Sequence, residues 1–265
     1  MDKRKRTIII LMLCLMAVAI VFVVKSNADN DGKRAYERQL KKLAKDYPKV
    51  QKIIDEIDKY PETVLELVVK NPETIDYALG YPTSYPAKGH DIIVDEPITK
   101  GKIPLLMQWD KRWGYHKYGG KALAFTGCGP TCLSMVIMGL TGDTEQTPNV
   151  IANFSQENSY YVDGTGSRWA LMAEGAKSFG LIPKELPLDK NIMLKRLKNG
   201  TPIIISVSKG AFTTAGHYIV LTGVVEDGKV TVNDPNSIKR SQMTWDLESI
   251  MKQIKNLWSF EVKTE

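Results

Sequence analysis

The spacing of apolar residues changes several times along the chain, and each change marks a segment. Thr7–Val24 is an unbroken uncharged run of 18 residues behind Lys3-Arg4-Lys5-Arg6, long enough to span a bilayer. The basic flank keeps the N-terminus inside, so the chain beyond Lys25 is expected outside the cell. This segment reads as an anchor, or as a signal peptide cut near Ala28, where Ser26-Asn27-Ala28 offers small residues. From Lys33 to Leu79 the spacing turns helical in three short stretches: Val50, Ile53, Ile54 and Ile57; Val64, Leu65, Leu67 and Val68; Ile75, Tyr77 and Leu79. Pro48, Pro61 and Pro72 open them, as proline does at a first helical position. Helices this short need partners to hold, so the region reads as a spacer arm without chemistry. Tyr81–Lys102, broken by Pro82, Pro86, Pro97, Gly89 and Gly101, reads as a linker or extended approach.

A different code starts at Ile103. Thr131–Leu140 is apolar on every side, the pattern of a fully buried helix. After Gly142 a polar stretch leads to Gly164-Thr165-Gly166-Ser167, a cap for a helix over Arg168–Phe179 that Gly180 ends. Lys190–Lys198 predicts a further helix. The period then shortens. Pro202–Val207 reads as a buried strand, and Gly216–Val225 and Lys229–Val232 as a hairpin about Glu226-Asp227-Gly228. Trp245–Lys255 predicts a helix and Leu257–Val262 a last strand. Helices first and antiparallel strands later make an α+β domain. The expected organisation is therefore 1–28 signal anchor or signal peptide, 29–80 short-helix arm, 81–102 linker and 103–265 α+β domain.

Composition narrows the function. The net charge is +6, but Lys3, Arg4, Lys5, Arg6 and Lys25 against Asp2 supply four of it. The remaining +2 leaves no basic stripe, which argues against a nucleic-acid partner. Of three cysteines, Cys14 lies in the apolar N-terminal run, and Cys128 and Cys132 are four apart on one helix, a poor geometry for a disulfide. With only His90, His116 and His217 as histidines and no second cysteine pair, neither a metal nor another cofactor is expected.

The chemistry gathers at Phe125–Leu140. Gly127 and Gly129 bracket Cys128 where backbone must approach something closely. Pro130 fits only a first helical turn. Cys128 thus stands at a helix N-terminus, where free N–H groups and the dipole favour a thiolate. Such a thiolate is an acyl-transfer nucleophile; the plainer reading is a small buried hydrophobe. His217 lies in an otherwise apolar strand, where a structural role competes with a catalytic one. Asp234 follows the next strand and can orient the imidazole through Nδ1–H. A hairpin symmetric about Asp227-Gly228 puts Leu221, not His217, opposite Asp234. Bringing His217 to Asp234 requires a shifted turn or a bulge, with Gly223 as the candidate.

The ordered set Gln108, Gly127-Cys128-Gly129-Pro130-Thr131, Gly216-His217-Tyr218 and Asn233-Asp234-Pro235 resembles the papain-like cysteine peptidases. Within them it is most similar to the double-glycine leader peptidases that process bacteriocin precursors, over roughly Ile103–Val262. The resemblance implies a nucleophile helix packed on an antiparallel sheet. It implies Cys128 as nucleophile, His217 as general base and acid, Asp234 as orienter and Gln108 as an oxyanion donor beside the Cys128 amide. The expected function is an exported cysteine peptidase-like hydrolase acting on a peptide or isopeptide bond of a peptide or protein substrate. Two other readings are a cell-wall peptide amidase or acyl transferase with the same triad, and a non-catalytic cell-surface binding module. Localisation follows the N-terminal segment: cell membrane with the domain outside, or secreted.

Overall fold

The structure is a computed structural model that describes residues 32–87, 89 and 92–263. The apolar run Thr7–Val24, the site near Ala28 and His90 lie outside the described residues. No helix among the described residues is long and apolar enough to cross a membrane. The chain divides between Pro82 and Thr83 into two compact units.

The first unit is helical. It holds α1 (32–43), α2 (Val50–Asp55), α3 (Glu62–Lys70) and all but the last two residues of α4 (Ile75–Ser84). The apolar stripes read from the sequence are its core: Val50, Ile53, Val64, Leu65, Val68, Ile75 and Tyr77 are all buried. Of the three prolines, Pro72 takes the first position of a 3-10 turn that leads into α4, with the Asn71 side chain capping it. Pro61 instead sits just ahead of α3, extended at φ −68° and ψ 151°. Its fixed φ suits that cap position as well.

The second unit is built on a six-stranded antiparallel sheet. Its elements are β1 (Lys117–Tyr118), β2 (Lys121–Ala122), α5 (Leu123–Thr126), α6 (Cys128–Thr141), α7 (Pro148–Glu157), β3 (Tyr161–Val162), β4 (Gly166–Ser167) and α8 (Ala170–Ala173). There follow β5 (Leu181–Glu185), α9 (Lys190–Lys198), β6 (Ile203–Val207), β7 (His217–Val224), β8 (Val230–Asn233), α10 (Ile238–Ser241), β9 (Thr244–Trp245), α11 (Leu247–Met251) and β10 (Ile254–Val262). The large sheet has the order β5-β10-β6-β7-β8-β9, and β1–β2 and β3–β4 are separate hairpins.

Both faces of the sheet are covered. Ile204, Tyr218, Val220, Trp258 and Phe260 join one apolar cluster with α6, α7 and α8, while Ile203, Ile205, Ile219, Leu221 and Val232 join another with α9 and α11. Successive residues of a strand point to opposite faces. A strand buried on both sides therefore loses polar alternation, which is why β6 reads Ile-Ile-Ile-Ser-Val. Helix α6 is buried from Gly129 to Gly139, as its pattern demands.

Several boundaries differ from the sequence reading. The stretch 168–179 is one α turn, α8, followed by a 3-10 helix Gly175–Phe179, and Gly166-Ser167 pairs as β4 instead of capping it. The polar stretch after Gly142 contains α7, with Pro148 at its start and Ile151 and Ala152 buried against α6. Strand β5 was not legible because its burial pattern has only Leu181 buried. The helix expected over Trp245–Lys255 is shorter, since β10 already begins at Ile254. From the stretch 81–102, Ile92, Val94 and Ile98 pack against the core of the second unit.

Candidate active site

Cys128 is the first residue of α6, and its partial exposure contrasts with the complete burial of Cys132 one turn later. As a first helical residue its amide N–H has no partner inside the helix. The bracketing glycines are there for space. A side chain at Gly127 would stand 2.5 Å from the Leu123 carbonyl, and one at Gly129 2.4 Å from Ser167 Oγ. Ser167 in turn is pinned: Tyr118 OH bonds its Oγ at 2.7 Å and Tyr218 OH donates to its carbonyl at 3.0 Å.

His217 begins β7, opposite Val207 of β6, and is buried. The β7–β8 register explains how it meets Asp234. Next to the turn, Val224 pairs with Val230 and Gly223 with Thr231; beyond a shift, Leu221 pairs with Val232 and Val220 with Asn233. The turn is centred on Asp227, which takes φ 61°, and Thr222 is the extra residue of a bulge beside Gly223. Each of these moves removes one residue from the symmetric pairing. Extended one step, the register sets Asp234 against Ile219, whose side chain shares a face with that of His217. Without the bulge it would fall against Val220, on the other face. His217 Nε2 lies 2.8 Å from Asp234 Oδ1. Asp234 therefore takes Nε2, correcting the Nδ1 contact expected from the sequence, and Nδ1 is left for the Cys128 thiol, which lines the same cleft as His217.

Asp234 has no exposed surface. Its Oδ1 also accepts from the Asn236 amide at 2.8 Å, and its Oδ2 from Arg240 Nε at 2.5 Å. Asn233, the adjacent alternative, turns away and donates to the carbonyls of Ile103 and Pro104. Gln108 is buried, held by its amide to the Pro235 carbonyl at 2.7 Å and by Nε2 to the Ala124 carbonyl at 2.6 Å. It thus ties the segment after Asp234 to α5, the short helix leading into Cys128. One Nε2 hydrogen remains free, and Oε1 has no partner. The loop behind Gln108 is stiffened by Arg112, which pairs with Asp110 and Glu96; hydrogen bonding to Arg112 holds Glu96 at about 2.

The electrostatics favour an ion pair. Burial pushes the Cys128 thiol up, but the hydrogen bond and charge of His217, with the Tyr218 and Gly129 amides, leave it below its ordinary value. Burial pulls His217 down, yet the Asp234 carboxylate and Cys128 bring it up to about 10. Burial likewise raises Asp234, and His217 and Arg240 together hold it below the usual carboxylate range. Cys132 is pushed well up by burial. A cleft of about 340 Å³ opens over Cys128 and His217, walled by Lys121, Phe125, Tyr161 and Trp169.

Residues 100–263 match the Peptidase_C39-like family. This chain belongs to that family. It is a cysteine peptidase-like hydrolase with an α+β papain-like fold. Among solved structures, the peptidase domain of Streptococcus ComA, a bifunctional ABC transporter involved in a quorum-sensing pathway, is 17% identical. The match covers 61% of this chain and 99% of that one, with a TM-score of 0.43. A search among curated proteins finds none that matches. In this C39-like peptidase the structure adds two residues to the sequence reading, Arg240 and Trp169. Arg240 carries no local signal beyond the Ser237 cap of α10, whose Oγ accepts from the Arg240 amide. Trp169 lies inside what reads as a helix, and only its half-exposed ring over the cleft marks it.

Proposed function

We propose that this protein is an exported cysteine peptidase that cuts a peptide or isopeptide bond through Cys128, His217, Asp234 and Gln108. In this reading Thr7–Val24 holds it at the cell membrane with the catalytic unit outside, or cleavage near Ala28 releases it. The observation that carries the catalytic part is one imidazole bonded through Nε2 to a fully buried carboxylate at 2.8 Å and lining the same cleft as the Cys128 thiol, whose acidity it raises.

The Cys128 thiolate attacks the scissile carbonyl carbon. The oxyanion that forms is met by the Cys128 amide N–H and the free Nε2 hydrogen of Gln108. His217, protonated by the resting ion pair, gives its proton to the departing amine, leaving a thioester on Cys128. Water then attacks the thioester while His217 takes its proton, and the acid product leaves with the thiolate restored. Asp234, held by Arg240 and the Asn236 amide, keeps the imidazole turned and stabilises its charged form.

The test is alkylation by iodoacetamide at neutral pH. Cys128 of the wild type should label, and His217→Ala should slow it by about tenfold or more, because a half-buried thiol without its cation shifts toward the protonated form. Equal rates in the two proteins would remove the pair from the mechanism.

A further inference from the structure

Apart from His217, the only charged side chain among the described residues lining the Cys128 cleft is Lys121, and no Asp or Glu lines it. His217 is engaged by Asp234 and Cys128. Lys121 is exposed and makes no ion pair or side-chain hydrogen bond among the described residues. Asp163, beside the lining residue Gly164, accepts from the Gly164 amide at 3.0 Å, and its charge reaches the lining residue Tyr161.

The backbone that carries Lys121 is fixed. The β1–β2 turn puts Gly119 at φ 64°, with its amide donating to Gln156 Oε1 at 2.9 Å and its carbonyl accepting from Tyr161 OH at 3.3 Å. The Tyr161 ring occupies the space of a side chain at Gly119. Tyr118, paired opposite Lys121, is buried and bonds the same Ser167 Oγ that abuts Gly129. The strand bearing Lys121 is therefore tied to the backbone next to the nucleophile, and only the ammonium end is free.

We propose that Lys121 makes this cleft select substrates with a carboxylate beside the scissile bond, either an acidic side chain or a free C-terminus. This rests on the reading of Cys128 as nucleophile and adds the substrate class. An unpaired cation on a fixed strand, at the wall of a cleft whose lining holds no Asp or Glu, attracts an anion there, an effect that salt screens.

The test compares iodoacetate with iodoacetamide on the full chain, in wild type and in Lys121→Arg, Lys121→Met and Lys121→Glu, at low and high salt. These reagents alkylate the same sulfur and differ in charge. The iodoacetate-to-iodoacetamide rate ratio at Cys128 should fall about three- to tenfold in Lys121→Met and further in Lys121→Glu. It should hold in Lys121→Arg and shrink in salt. Peptide pairs with Glu against Gln flanking the cut, and with a C-terminal acid against an amide, then separate the two carboxylate sources. A ratio unchanged within twofold in Lys121→Glu overturns the inference, and so does cleavage indifferent to both kinds of carboxylate. If neither reagent modifies Cys128, the nucleophile assignment itself falls, and this inference with it.

Discussion

At Cys128 and His217, burial and pairing act against each other, and the pH dependence follows from which wins. Cys128 is held below its ordinary thiol value and His217 is raised to about 10, so the charged pair spans neutral pH. Wild-type alkylation should therefore persist on the acid side of a free thiol. In His217→Ala, only the Tyr218 and Gly129 amides still oppose burial, so the midpoint should move upward from the wild-type value, measured as rate against pH. Peptide cleavage should decline as pH rises through about 10, where His217 no longer has a proton for the leaving amine, while alkylation continues. Gln108 separates the two readouts again. Gln108→Ala should cost about 10²–10³-fold in turnover, the usual scale for one oxyanion donor, yet spare alkylation, which develops no oxyanion. An alanine variant within threefold of wild-type turnover would return Gln108 to a structural role. Arg240 acts on the folded state. Asp234 is depressed when folded, so its charge stabilises the protein above the ordinary value of 3.8 and that stabilisation is lost as pH falls through the folded value. Arg240→Met raises the folded value, so acid unfolding should begin at higher pH, with a loss of about 3 kcal/mol at neutral pH from breaking a buried pair.

Among the elements, α6 was legible because burial on all sides erases amphipathicity, and the Gly-Cys-Gly-Pro start fixed its first residue. Helix α9 matches its expected span, Lys190–Lys198, because Asp189 caps it and Asn199 closes it locally. The misses have one cause: their formation depends on distant neighbours. Strand β5 exists because β10 pairs with it from Leu181↔Val262 to Glu185↔Trp258, and α7 because α6 offers an apolar wall. The site divides in the same way. Cys128, His217, Asp234 and Gln108 stand in short motifs, whereas the bulge at Thr222 and the Arg240 contact depend on register and on the turn after β8. Close approach at Gly129 can be tested at this level. In Gly129→Ala the new methyl would meet Ser167 Oγ at 2.4 Å and Cβ at 2.7 Å, and Ser167 is held by two tyrosines. Thermal unfolding should report a loss of about 1–3 kcal/mol; a neutral substitution would mean that the β3–β4 hairpin yields freely.

On the scale of the whole molecule, the family match starts at residue 100, while the second unit starts at Thr83. If the domain is exported, protease added to intact cells should cut the Lys33–Lys102 region or release the domain; digestion only after lysis would place it inside. A sharper question is whether residues 32–82 take any part in the chemistry. All four proposed site residues, both apolar clusters and all six strands of the large sheet lie in the second unit. The first unit has its own buried residues, from Leu40 to Ala78, and its prolines divide it into helices too short to stand alone. The cut must respect Ile92, Val94 and Ile98, which pack on the second core and would leave it open if removed. A chain starting at Thr83 should therefore fold, label at Cys128 within about twofold of the full chain and retain its iodoacetamide pH profile. A chain starting at Ile103 should lose stability first, seen as a lower unfolding midpoint. A Thr83 chain that unfolds cooperatively but no longer labels would show that the helical unit completes the active site.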